Sequence, residues 1–170
     1  MGAMLPETAH QGVDRMKLPG PDHPITIAPA RTRWRARFGD HVIADSADAL
    51  VLTEADYSPV LYFPRGDISM AFLTKTERST YCPFKGYASY FTVMMDGQFG
   101  DNAVWSYEEP YPTMAQIRGR LAFYTNKIEV YEVDEAQVSP SARRTNVDDI
   151  VQHTDTGSGQ SQRDHWPASR

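Results

Sequence analysis

Cysteine is nearly absent from this sequence: its 170 residues contain one, Cys82. A single cysteine excludes an internal disulfide and every zinc site built from several cysteines. We therefore expect a reducing compartment and predict a cytoplasmic protein. The first 20 residues are polar and are interrupted by Pro6 and Pro19, so we expect no signal peptide.

Long apolar runs and strong basicity are also missing. No window approaches the roughly 18 apolar residues that a membrane span needs, so we expect no membrane segment. The formal net charge is -5, with 17 Lys and Arg against 22 Asp and Glu, and we therefore expect no general attraction for nucleic acid. Neither standard glycine-rich phosphate-binding pattern occurs. The sequence specifies no cofactor and no oligomeric state.

The composition divides the chain into three segments. Residues 1–32 contain five of the 12 prolines, which predicts an extended arm laid over the domain through Ile25 and Ile27. Residues 33–135 carry the alternating apolar patterns and form the predicted compact domain. Residues 136–170 are poor in apolar side chains and include a polar Gly/Ser stretch over 154–162, which predicts a flexible tail.

Strand patterns dominate the compact segment. Trp34, Ala36 and Phe38 alternate with arginines, and a Gly39-Asp40 turn precedes a second apolar run, which predicts a β-hairpin. Further strands are predicted over 49–52, 60–63, 68–73, 90–95, 103–107 and 127–133. The arginines of the first strand have solvent as their default environment, with an acidic partner or a carboxylate within the protein as the alternatives.

One helix is predicted among these strands. It begins at Pro112-Thr113, and Gln116 lies at the spacing of a capping box with Thr113. Met114, Ile117 and Leu121 fall on one face of this helix. The predicted fold class is therefore mainly β: a single barrel- or sandwich-like domain with one short helix packed on one side.

The segment from Thr80 to Tyr87 is the strongest candidate for chemistry. Pro83 fixes its own backbone and Gly86 permits a positive φ, so a turn here places the Cys82 thiol and the Lys85 ammonium on one rim. A lysine near a thiol favours the thiolate. A lone cysteine beside proline in a β domain is more often a small buried hydrophobe, and this alternative stays open.

Side chains from other strand ends are predicted to converge on this turn. Asp45 ends one strand and joins Lys85 and Cys82 as a candidate catalytic residue, although an Asp-Ser pair also suits a turn cap. Aromatic residues with a few placed polar groups line small-molecule pockets. The predicted ligand-binding residues are Tyr62, Arg65, Tyr81, Cys82, Lys85, Gly86, Tyr90, Trp105 and Tyr107.

A set of short motifs runs in a specific order through residues 33–133. It includes Tyr81-Cys82-Pro83-Phe84-Lys85-Gly86, then Trp105-Ser106-Tyr107, then Leu121-Ala122-Phe123-Tyr124. In this order the motifs resemble the DUF427 family. The resemblance implies a small, mostly β domain of unknown function, sometimes labelled a nucleotidyltransferase domain, and it carries over no assigned catalytic residue.

Two enzyme classes can be compared with the residues. Metal-dependent nucleotidyl transfer needs carboxylates that hold Mg²⁺ on the phosphates, usually two acids one residue apart after a Gly-Ser turn. Gly157-Ser158 has no such acids after it, and Glu54-Ala55-Asp56 lacks the turn, so this activity is disfavoured. A Cys82–His41 catalytic pair is allowed by residue type. No metal site is predicted.

Three classes of function remain. The first is a module that binds a small polar or anionic ligand, with Lys85 and Arg65 holding the anionic group. The second is an enzyme in which Lys85 or Cys82 reacts and Asp45 supports it. The third is a protein-interaction domain regulated by the tail. We favour the binding module over the enzyme by a small margin and place the interaction domain third.

Overall fold

The computed structural model describes residues 15–134 and places ten β-strands and three short 3-10 helices in that range. The strands are β1 (Ile25–Pro29), β2 (Arg33–Phe38), β3 (His41–Ser46), β4 (Leu50–Glu54), β5 (Val60–Tyr62), β6 (Leu73–Cys82), β7 (Gly86–Met95), β8 (Gln98–Ser106), β9 (Leu121–Phe123) and β10 (Glu129–Val133). The 3-10 helices span Arg65–Asp67, Met70–Phe72 and Pro112–Ile117. The predicted tail over 136–170 and the first 14 residues of the predicted arm lie outside the described residues.

Three antiparallel sheets form the domain, and two of them continue into each other. Their strand orders are β1-β4-β5, β6-β7-β8-β9 and β10-β2-β3. One antiparallel bridge between Phe63 and Leu121 joins the end of β5 to β9. We call the resulting seven-stranded surface the long sheet. The prediction of a mainly β, sandwich-like domain with a short helix is confirmed.

Alternate residues of the long sheet face two different apolar cores. Leu61 of β5 and Phe63, the residue after β5, belong to a main core, which also contains Trp34, Ala36 and other residues of the β10-β2-β3 sheet. Tyr62, between them, belongs to a second core. This division follows from the period of two in a strand. The second core consists of Leu52, Tyr62, Ala88, Tyr90, Tyr107, Met114, Ile117 and Ala122.

Part of the predicted arm is a strand at the edge of the long sheet. β1 pairs with β4 in a register that sets Ile27 opposite Leu52. Ile25 and Ile27 pack against the second core, as the arm prediction required. β1 is therefore part of the long sheet although it precedes residue 33.

The predicted helix exists in a different form. Pro112–Ile117 is a 3-10 helix without a side-chain cap, so the capping box of Thr113 and Gln116 is absent. Met114 and Ile117 are buried as predicted, whereas Leu121 belongs to β9. Gly119, with φ +71°, turns the chain away from the helix and into that strand.

The predicted strand over 68–73 is wrong, and a longer strand follows it. Ile68 makes one bridge to Ala44, and the chain then turns through Met70–Phe72 instead of following β3. β6 begins at Leu73 and extends for ten residues. It lies at the edge of the long sheet with mostly exposed or half-buried side chains, so it lacks the apolar alternation that identifies a strand.

The arginines of β2 are paired within the protein. Nε of Arg33 donates to Asp45 at 2.7 Å, and Nε of Arg35 donates to the same carboxylate at 3.3 Å. Arg37 binds Glu129 of β10. Arg35 is 7% exposed, so solvent, the default environment for this basic face, is wrong for that residue.

Candidate functional site

The Cys82–Gly86 segment is the turn of the β6–β7 hairpin. Cys82 pairs with Gly86 across a three-residue loop, and the Lys85 amide donates to the Cys82 carbonyl at 3.2 Å. Gly86 has φ +107°, a backbone conformation that is open to glycine and strained for other residues. Because the Tyr111 amide donates to the Lys85 carbonyl at 3.0 Å, the loop is fixed to the chain that follows β8.

Lys85 points from this turn into the domain, and its side chain is only 8% exposed. Its Nζ donates to Oε1 of Glu54, the last residue of β4, at 2.5 Å. The same Nζ lies 3.6 Å from Sγ of Cys82. Burial of a lone ammonium is unfavourable unless it is paired, and Glu54 supplies the pair. We call Cys82, Lys85 and Glu54 the buried polar group.

His23 joins this group from the N-terminal segment. Its Nε2 lies 2.7 Å from Oε2 of Glu54. Its ring stacks on Phe84 of the turn, with centroids 4.1 Å apart and planes 4° from parallel. The Lys17 amide also donates to the Pro83 carbonyl at 2.9 Å. The segment before β1 therefore crosses the hairpin turn and contacts the buried polar group.

The Glu54 carboxyl is held in its ionised form. Burial alone would raise its pKa, but hydrogen bonds from Lys85 and His23 and the positive charge of Lys85 more than offset burial. The pKa of Glu54 is consequently below its ordinary value. The group therefore presents a carboxylate, an ammonium and a thiol within one small volume.

Three tyrosines, Tyr62, Tyr90 and Tyr107, belong to the second core, against which Cys82 packs, and we call them the tyrosine cluster. The Tyr62 hydroxyl accepts a hydrogen bond from Nε1 of Trp105 at 3.2 Å, and the Tyr90 hydroxyl lies 2.8 Å from Oγ1 of Thr80. Burial raises the pKa of Tyr62 and of Tyr107. Both phenols therefore stay neutral and keep a proton to donate.

The Tyr107 hydroxyl differs from the other two. The residue is 8% exposed, and its ring centre lies 6.0 Å from Nζ of Lys85. Its electrostatic neighbours are Tyr62, Cys82, Tyr90 and Glu54, which places it at the buried polar group. Across residues 15–134 no hydrogen-bond partner for this hydroxyl is present.

A comparison with protein families gives this fold a family. The sequence profile described as Domain of unknown function (DUF427) matches residues 26–134, which is more than half of the chain. The chain belongs to the DUF427 family. A search of the curated proteins found no match to this chain.

The DUF427 domain brings together most of the residues that the sequence singled out. Cys82 and Trp105 pack against the second core, and Lys85 and Gly86 lie in the turn beside it. The predicted residues that the structure places together are Tyr62, Cys82, Lys85, Gly86, Tyr90, Trp105 and Tyr107.

Three predicted residues have other partners. Asp45 forms its ion pairs with Arg33 and Arg35 on the β10-β2-β3 sheet. Arg65 binds Glu108 at 2.7 Å and the Gly119 carbonyl. Tyr81 donates to or accepts from the Tyr111 hydroxyl at 2.7 Å. None of these recorded contacts within residues 15–134 reaches Lys85 or Cys82.

Two residues of the group were not predicted as site residues. His23 lies between prolines in the arm, and only His41 was considered as a partner of Cys82. His41 instead contacts Asp96, so the Cys82–His41 pair is wrong. Glu54 lies two residues after Leu52 and shares its strand face, but that this face meets the second core is shown only by the structure.

Two further observations concern the described part of the DUF427 domain. Residues 15–134 contain no group of three or more His, Cys, Asp or Glu side chains arranged to hold a metal ion. None of the helices in that range is long and apolar enough to cross a membrane. Glu54 of the Glu54-Ala55-Asp56 acid pair is bound to Lys85 and His23, while Asp56 is exposed in the following turn.

Proposed function

We propose that this DUF427 domain binds a small polar molecule at the buried polar group and the tyrosine cluster. The observation that carries the proposal is the Tyr107 hydroxyl, which lies beside Glu54 and Cys82 on a residue that is 8% exposed and has no hydrogen-bond partner in the described residues. The buried side-chain oxygen without a partner in the described residues is that of Ser106, so the Tyr107 oxygen is accessible to a small molecule. A bound molecule can accept the hydrogen bond that this neutral phenol offers.

The charges of the group limit the class of ligand. Lys85 is neutralised by Glu54, and Arg65 is neutralised by Glu108. Neither cation is free to hold a polyphosphate, so we favour a neutral polar molecule or one with a single negative charge. Such a ligand accepts from Tyr107 and shares the Lys85 ammonium with Glu54, while the phenol rings cover its apolar part.

A second candidate function is a reaction at Cys82. The observation that favours it is the 3.6 Å distance between the Lys85 ammonium and the Cys82 sulfur. At this distance the ammonium can donate to the sulfur, which is the nucleophilic atom of cysteine. The ligand of the binding proposal would then be a substrate with an electrophilic carbon near Sγ.

The binding proposal is tested by a thermal-shift screen of nucleosides, nucleotides, sugar phosphates and metabolite acids. A ligand at 100 times its Kd stabilises by about 2.7 kcal/mol, which raises the Tm by several degrees. We expect the shift to disappear in Tyr107→Phe and Lys85→Met. Tyr87→Phe is the matched control, because it also removes one phenolic oxygen but from a side chain that is half exposed.

Two results would contradict the binding proposal: no stabilising compound in the screen, or a compound whose shift survives both Tyr107→Phe and Lys85→Met. The second candidate has its own readout, because Cys82 is the single cysteine. Alkylation by iodoacetamide, followed by intact mass, then reports this thiol alone. We expect Lys85→Met to slow alkylation about tenfold, and an unchanged rate would remove the support for thiol chemistry.

A further inference from the structure

A cavity lies where β5 and β9 diverge. The two strands meet at the Phe63–Leu121 bridge, with backbone N–O distances of 2.8 and 3.0 Å. In an antiparallel pair, the next hydrogen-bonded positions would be Leu61 and Phe123. Those residues are not bridged, so the long sheet splits there.

The split leaves main-chain groups without sheet partners. The N–H and C=O groups of Phe63 point to β9. Because these groups alternate in direction along a strand, those of Tyr62 point to β4 and those of Leu61 point into the split. The same alternation applies to β9. The Tyr124 amide donates to Ala103 of β8, so the N–H and C=O groups of Phe123 point the other way, into the split. Outside the strand ladders, no backbone hydrogen bond of the described residues reaches Leu61 or Phe123, so these groups have no partner across the split.

The cavity at the split has a volume of about 400 Å³, within the range of about 300–1,000 Å³ that is usual for small-molecule sites. Val60, Leu61, Phe123 and Val130 line its apolar part. Two further lining residues, Trp105 and Tyr124, have ring centroids 4.6 Å apart with planes tilted by 49°. Ser58, Thr125 and Asn126 contribute polar side chains to the lining.

We propose that this cavity binds a flat heteroaromatic ring whose edge carries a hydrogen-bond donor next to an acceptor. The partly exposed indole of Trp105 and phenol of Tyr124 provide a surface for stacking. The free N–H and C=O of Leu61 or Phe123 pair with the edge of the ring. A purely apolar ligand leaves these main-chain groups unsatisfied, which is unfavourable in a buried cleft.

This site is distinct from the buried polar group. None of Glu54, Cys82, Lys85 and Tyr107 lines the cavity. The two sites meet at the tyrosine cluster, where Trp105 donates to the Tyr62 hydroxyl and the Tyr124 ring lies 6.4 Å from the Tyr90 ring. The inference does not depend on the proposed function, because it rests on the main-chain groups and the lining of the cavity, and the amides that shift on binding separate the two sites experimentally.

The test is a ¹H–¹⁵N NMR titration of the whole chain with three compounds. The first, 2-pyridone, is flat and has adjacent N–H and C=O groups. The second, 2-piperidone, has the same two groups on a saturated ring, and the third, benzene, is a flat ring without them. We expect 2-pyridone to shift the Leu61 and Phe123 amides and the Trp105 indole N–H. We expect 2-piperidone and benzene to bind about tenfold more weakly, which corresponds to about 1.4 kcal/mol.

Blocking variants test the location. Ser58 lines the cavity and is exposed, so Ser58→Tyr is expected to fill its mouth and weaken 2-pyridone binding at least tenfold. Asp56→Tyr is the matched control, because Asp56 is also exposed, lies two residues away and does not line the cavity. Binding to Asp56→Tyr is expected to match the parent.

Each alternative outcome overturns part or all of the inference. Absence of 2-pyridone binding overturns the site. Shifts that avoid the cavity residues, or that persist in Ser58→Tyr, overturn its location. Equal binding of 2-piperidone overturns the requirement for a flat ring, and equal binding of benzene overturns the requirement for main-chain hydrogen bonds.

Discussion

Replacement of Lys85 by methionine is expected to destabilise the domain more than replacement of both partners of its ion pair. Lys85→Met leaves the Glu54 carboxylate, whose side chain is 15% exposed, with only His23 as its recorded partner in the described residues. Removal of one partner of a buried pair usually destabilises a protein by about 3–5 kcal/mol. We expect about 3 kcal/mol, the lower end, because His23 remains.

The size of the effect is measurable by urea unfolding followed by circular dichroism. In a domain of this size, 3 kcal/mol corresponds to a decrease in Tm of roughly 10 °C. Glu54→Gln combined with Lys85→Met also removes the carboxylate charge that Lys85→Met alone leaves without its lysine. We therefore expect a coupling energy of about 2 kcal/mol between positions 54 and 85. The matched control is the Arg65–Glu108 pair, whose side chains are 39% and 35% exposed. Its coupling is expected to be below about 1 kcal/mol.

The Lys85–Glu54 ion pair also makes the stability of the domain depend on pH. The pKa of Glu54 is lower in the folded chain than its ordinary value of 4.5, so the unfolded chain binds this proton at a higher pH than the folded chain does. The stabilisation is fully present above the ordinary pKa and is lost as pH falls through the folded value. In Lys85→Met the pKa of Glu54 rises, because burial is no longer opposed by Lys85, and the loss moves to higher pH.

Two outcomes would refute this reasoning. If the free energies of the two single variants add within about 0.5 kcal/mol, the buried pair is not coupled. If Lys85→Met loses less than about 1 kcal/mol and keeps the acid profile of the parent, Lys85 behaves as a solvated surface lysine. Urea titrations between pH 3 and pH 7 on the parent and the variants, run in parallel, distinguish these outcomes from the expected one.

Three further predictions concern single positions. Gly86→Ala is expected to lose about 1–2 kcal/mol of stability because φ is +107° at this position. An added Cβ at Gly66 meets open space, so the stability of Gly66→Ala should stay within about 0.5 kcal/mol of the parent. Equal losses of the two variants in urea unfolding would contradict the role of the positive φ. Ser106→Ala removes a buried hydroxyl that has no partner among the described residues, so the Tm of this variant should be unchanged or higher. Ser46→Ala instead removes the hydrogen bond from the Asp48 amide and should destabilise the domain by about 1 kcal/mol. Asp45→Asn is expected to lose about 2–3 kcal/mol because Arg35 is left buried without its carboxylate, and a binding defect without loss of stability would instead return Asp45 to the site.

The parts of the fold that the sequence predicted depend on short stretches of chain. The β2–β3 and β7–β8 hairpins follow from apolar alternation on either side of Gly39-Asp40 and Asp96-Gly97 turns. The Cys82–Gly86 turn follows in the same way from Pro83 and Gly86. β6 was missed because an edge strand with solvent on much of its surface carries little hydrophobic periodicity.

The candidate site was predicted only in part, for a related reason. The aromatic residues converge because alternation along β5, β7 and β8 sends Tyr62, Tyr90 and Trp105 to one side of the long sheet. The partner of Lys85 is Glu54, 31 residues earlier, and its identity depends on the registers that set β4 and the β6–β7 hairpin side by side. Local patterns contain no information about such a register, so Asp45 was chosen in place of Glu54.

The position of β2 between β3 and β10 has a consequence during synthesis of the chain. Arg33 is paired with Val133 across this sheet, so β2 keeps one open edge while the ribosome makes the next hundred or so residues. Throughout that time the nascent β2–β3 hairpin offers unpaired N–H and C=O groups to any neighbouring extended chain. This edge is therefore closed only when the residues of β10, the last strand of the described domain, have been made.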